Sequence, residues 1–141
     1  MTTCSQWSAI SGCIFLLVGC SQSQSPRCYP VRGQILFKNQ PVAEGMVVFH
    51  PAVEVQGVPK PHAYTDSEGR FQLTSFRTND GAPLGDYRIT VELRQEWRSG
   101  EELTRDGPNL LPPKYAKAGT SPLKFTVGTG ENESPPMTLV P

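Results

Sequence analysis

The sequence predicts an all-β domain, an antiparallel Greek-key-like β-sandwich of about seven short strands, and three observations carry that reading. The 141 residues include 13 glycines and 14 prolines, which punctuate the chain into many turns and leave little room for long helices. Between the turns, apolar residues alternate with polar ones, the period of a strand with one buried face. Leu84, Gly85 and Tyr87 open the longest alternating run in the pattern of a tyrosine corner, a phenol that packs inside while its hydroxyl bonds back to loop backbone.

The first segment is chemically separate from the rest. Every charged residue lies from Arg27 onward. Residues 9–20 form an apolar stretch of about a dozen residues, too short to cross a bilayer of roughly 30 Å as a helix but suited to the core of an export signal. It ends Leu17-Val18-Gly19-Cys20, which resembles the bacterial lipobox, whose cysteine is acylated with palmitate-type chains. The expectation is therefore a signal peptide over 1–19 and a lipidated Cys20. Residues 20–28 then form a spacer, and the β-sandwich occupies 29–141. The stretch before the apolar core carries no Lys or Arg, unlike most export signals. An uncleaved weak anchor and an ordinary secretory signal are the alternatives. Residues 21–26, Ser-Gln-Ser-Gln-Ser-Pro, have nothing to bury and read as a tether. Of the four cysteines, Cys4 and Cys13 leave with the signal and Cys28 remains alone, so the domain is held by its core. A Cys20–Cys28 disulfide becomes possible only if Cys20 is not acylated.

The strands follow in order. Residues 31–38 place Val31, Gly33, Ile35 and Phe37 on one face, and residues 39–41 turn the chain. Val47 and Phe49 point inward from the next strand, which Pro51 ends because proline cannot donate to a ladder. Ala63 and Thr65, then Phe71 and Leu73, alternate around the turn Asp66-Ser67-Glu68-Gly69, the pattern of a β-hairpin. A turn-rich loop, 78–85, leads into Tyr87, Ile89, Val91 and Leu93. Residues 94–113 read as a long, polar, irregular loop, of a length that points to function, mobility or a short helical turn. Residues 110–115 pack back onto the sandwich, and strands at 123–127 and 137–140 close it around a turn at 128–133.

The ordered set Val31-x-Gly33, Val47-x-Phe49, Ala63-x-Thr65-Asp66-x-x-Gly69-x-Phe71-x-Leu73 and Gly85-x-Tyr87-x-Ile89-x-Val91 resembles the carboxypeptidase regulatory-like, transthyretin-related β-sandwich domain. The tail from Leu111-Pro112-x-Lys114-Tyr115 to Leu123 is similar to small envelope lipoproteins of planctomycete bacteria that carry this domain. The resemblance implies a non-catalytic module for adhesion, carbohydrate contact or spacing, at the bacterial cell envelope.

Thirteen basic and thirteen acidic residues give a formal net charge of zero, which implies no nucleic-acid partner. The two histidines, His50 and His62, lack the spacing of a zinc hydrolase, and no nucleophile elbow or P-loop occurs. Oxygen ligands for calcium are conceivable at Asp66, Glu68 and Asp80, but the spacing is not that of an EF-hand and turn chemistry accounts for Asp66 equally well. No enzyme, cofactor or metal is expected. The expected partners are the membrane, through Cys20, and an envelope protein. The alternative is a glycan stacked on an aromatic platform of Trp97, Tyr115 and Tyr64, next to the loop 94–113.

Overall fold

The computed structural model describes residues 24–141; Cys20 and the expected signal peptide lie outside them. The domain is an all-β sandwich. Its strands are β1 (Cys28–Tyr29), β2 (Val31–Phe37), β3 (Gln40–Pro41), β4 (Met46–Pro51), β5 (His62–Tyr64), β6 (Arg70–Gln72) and β7 (Ala82–Pro83). They continue with β8 (Gly85–Glu92), β9 (Trp97–Ser99), β10 (Glu102–Thr104), β11 (Lys124–Val127), β12 (Asn132–Glu133) and β13 (Met137–Leu139). One 3-10 turn, Pro113–Tyr115, interrupts them. Several of these strands are two-residue pairings too short to leave a periodicity in sequence.

The first sheet is antiparallel, in the order β11-β8-β4-β5. The second is built on β2. It pairs antiparallel with β3 and β6 and parallel with β12 and β13. The C-terminal tail thus runs alongside β2 in the same direction, so the sandwich is mixed at this edge. The whole domain serves as the crossover that a parallel pair requires.

The two inner faces meet as the alternation predicts. Val31, Ile35 and Leu139 of the second sheet and Val47, Phe49, Ile89 and Val91 of the first are fully buried. Phe49 is the centre of an aromatic cluster, with ring centroids 6.1 Å from Phe71, 5.8 Å from Tyr87 and 6.2 Å from Phe125. Gly33 is the hole that admits Phe71: a Cβ there would lie 2.6 Å from the tip of that ring.

The stretch 62–74 departs from a simple hairpin. Asp66 closes the turn, its Oδ1 accepting from the backbone N–H of Glu68 and of Arg70, both at 2.9 Å. The two arms then part: β5 joins β4 in one sheet and β6 joins β2 in the other. Beyond the turn, the bridge between His62 and Thr74 still links them. The turn is therefore a corner between sheets, and Gly69 (φ +72°) takes it where a Cβ would lie 2.5 Å from the Ile35 carbonyl oxygen.

Tyr87 forms the expected corner, donating its hydroxyl proton to the Pro83 carbonyl at 2.8 Å. Burial pushes its phenol up to about 12. Tyr87→Phe is expected to cost about 0.5–1.5 kcal/mol, the worth of one neutral hydrogen bond. Because the phenol is raised above its unfolded value of about 10, the stability it contributes is intact below pH ~10 and lost as pH climbs toward 12. Urea midpoints measured across that window should show a steeper alkaline decline for the wild type than for Tyr87→Phe.

Candidate functional site

The sequence pointed to three aromatic residues, and the structure separates them. Tyr115 is a core residue, 1% exposed, and closes the gap between the sheets. Its hydroxyl accepts from Val140 N at 2.9 Å and donates to Val140 O at 3.2 Å. The aromatic platform therefore loses Tyr115, because a buried ring with the Lys114 ammonium 5.2 Å from its centroid presents no face to a ligand. Tyr64 and Trp97 remain half-exposed. The Arg105 guanidinium lies 5.7 Å from the centroid of the Tyr64 ring, held there by Glu44 at 2.7 Å and Glu96 at 2.8 Å. The Trp97 indole lies across Gly107, where a Cβ would meet Nε1 at 2.5 Å.

Residues 94–113 are not an irregular loop. β9 and β10 pair antiparallel around Gly100 (φ +67°), and Arg94 bridges to Asn109 at the base. Asn109 Oδ1 accepts from Leu93 N at 3.0 Å and Leu111 N at 3.1 Å, which ties both ends of the excursion together. No apolar alternation marks this hairpin because neither of its faces is buried against the core.

Of the acids considered for calcium, Asp66 and Asp80 are occupied by backbone and Glu68 pairs with Arg70 at 3.3 Å. Besides the Asp66 turn, Asp80 accepts from the N–H groups of Ser75 (2.7 Å), Phe76 (3.0 Å) and Arg77 (2.9 Å), organising the loop after β6.

A groove missed in the sequence lies on the outer face of the first sheet. Strand register places His50 of β4 opposite Arg88 of β8, and Arg88 opposite Lys124 of β11. With Lys60, Asp86 and Thr126 on its walls, the groove encloses about 690 Å³. Its polar groups are mostly engaged. His50 Nε2 bonds Thr90 Oγ1 at 2.9 Å, Arg88 donates to the Ser121 carbonyl at 3.0 Å, and Thr126 donates to Asp86 at 2.6 Å. Lys60 pairs with Glu54 at 2.8 Å. Partial burial, reinforced by nearby Lys60, holds the His50 imidazole below its ordinary pKa. Lys124 makes no ion pair among the described residues. The signal for this site was long-range pairing, which a single-sequence reading lacks: His50 and Lys124 are polar outward positions like any other until the strands are placed side by side.

A second concavity, about 600 Å³, sits at the adjoining end of the sandwich under the loop 52–60, and a third, about 740 Å³, lies along Arg32, Arg70 and Glu133 on the second sheet.

No family model matches the chain, and no curated protein matches it either. Among solved structures it is similar to a 9R-lipoxygenase from Cyanothece PCC8801, at 16% identity and a TM-score of 0.42, over 84% of this chain and 18% of that one. It is also similar to a Pseudomonas aeruginosa protein provisionally described as carbohydrate-binding, at 17% identity and a TM-score of 0.41, over 85% of this chain and 92% of that one. The chain spans under a fifth of the lipoxygenase. Neither likeness bears on what this protein does.

Proposed function

We propose that this is a lipid-anchored protein of the bacterial cell envelope whose sandwich works by contact, not catalysis, as a carboxypeptidase regulatory-like domain would. One observation carries the reading. Five side chains with acid–base or nucleophilic character are bound into the framework: Asp66 and Asp80 hold turns, Tyr87 holds a corner, Ser121 Oγ bonds the Ile89 carbonyl, and His50 is tied to Thr90. A general base must reach a substrate proton, and a group already committed within the fold is poorly placed to do so. Anchoring through Cys20 completes the proposal; several acyl chains, at about 0.8 kcal/mol per buried CH₂, hold a domain firmly.

Carbohydrate contact is the second reading, and the groove favours it over the hairpin. Its wall of Pro51, Tyr87 and Phe125 with flanking Arg88, Lys124 and Asp86 offers the mix of apolar surface and convergent polar groups that small-ligand sites use.

Three measurements test these readings. Cys20→Ser should abolish fatty-acid labelling and release the protein from membranes; labelling that persists overturns the anchor. Turnover of an ester, peptide or ureide panel by the purified protein overturns the contact reading. On a glycan array, binding that Lys124→Glu removes and Trp97→Ala leaves intact would select the groove as a sugar site.

A further inference from the structure

The end of the sandwich where the chain emerges from its tether is apolar and uncovered. Val53 is 77% exposed, Val55 61% and Leu84 52%; with Val58 and Phe76 they line the 600 Å³ concavity at that end. Large apolar side chains exposed together, in contrast to single ones, mark a surface that meets something. Gln24, Ser25 and Pro26 line the same concavity, so the start of the described chain lies on this patch. The antiparallel pairing of β1 with β7 fixes it there, because Cys28 sits opposite Pro83, next to Leu84. Gln24 follows Cys20 by only four positions. Those four steps, fully extended, reach no more than about 14 Å, comparable with the depth of the headgroup layer. The charged residues that line the concavity, Glu54 and Lys60, neutralise each other at 2.8 Å.

We propose that this apolar end is a second membrane contact: with Cys20 acylated, Val53, Val55, Phe76 and Leu84 seat in the lipid interface and stand the sandwich on its end. The inference rests on the anchor reading above and deepens it. The β9–β10 hairpin follows the far end of β8 and points away from the bilayer, which leaves Trp97 as a natural reference.

The test uses the full acylated chain in vesicles of phosphatidylethanolamine and phosphatidylglycerol with brominated acyl chains. With the signal removed, Trp97 alone reports the far end; Trp97→Phe with Val55→Trp moves the only indole to the patch. The Val55→Trp emission is expected to shift to the blue and to be quenched at least twofold, with Trp97 unquenched. Adding Val53→Asp and Leu84→Asp, both at exposed positions, should reverse the quenching and leave the melting temperature unchanged. An acylated Cys20 with an unquenched Val55→Trp probe overturns this inference and leaves the anchor standing. An unacylated Cys20, read by mass spectrometry of the same sample, overturns both.

Discussion

Phe49→Ala is expected to destabilise the domain by about 3–5 kcal/mol, the range for removing a fully buried phenylalanine. The side chain is 0% exposed and touches the rings of Phe71, Tyr87 and Phe125, so its loss leaves a hole facing three aromatic edges. Two of those neighbours are pinned: Phe71 lies over Gly33 and Tyr87 is bonded to Pro83. The cavity therefore collapses little. Domains of this size hold only about 5–15 kcal/mol in all, so the variant should melt roughly 10–20 °C below wild type. Val55→Ala, at an exposed position, should stay within about 0.5 kcal/mol in the same calorimetric series.

Gly81→Ala should be nearly as severe, for a different reason. Gly81 has φ +90°, and a Cβ there would lie 1.8 Å from the Tyr29 carbonyl oxygen and 2.8 Å from the Pro30 α-carbon. The obstacle is backbone, in the strand that pairs with β7, so the only relief is to part β1 from β7. Left-handed backbone costs an alanine about 1–2 kcal/mol and the forced overpacking about 1–3 kcal/mol more. Gly57 separates the two effects, since its φ is +80° and nothing lies within 4 Å of its would-be Cβ. Gly57→Ala should show the dihedral cost alone. Chemical denaturation of the pair checks this, and equal losses at the two sites would refute the steric account.

Reading the chain alone recovers the strands with a buried face. Val31, Ile35, Val47, Phe49, Tyr87, Ile89 and Val91 alternate in sequence and are buried in the structure, because a strand against a core must repeat every second residue. Turn chemistry was equally legible at Tyr87 and Asp66, where the bonding partners lie within four residues. Features without a local cause were not. Nothing in Ala63 or Phe71 says that they belong to different sheets, since both must face inward either way. The parallel seating of β12 and β13 on β2 depends on a strand about a hundred residues earlier. Tyr115 fits an aromatic platform by residue type, but the packing of residues 110–115 back onto the sandwich prevails, and its backbone turn delivers it to the core.

The sequence by itself determined the all-β class, the residues of the core and the corner at Tyr87, because periodicity, proline and glycine act over a few neighbouring residues. The tertiary structure alone decided which surfaces exist to be used. The row His50–Arg88–Lys124 comes from strand register, and the apolar end at Val53, Val55 and Leu84 comes from β7 pairing with β1 beside the tether. Both join residues more than thirty positions apart, and only the packing of two sheets brings such residues onto one surface.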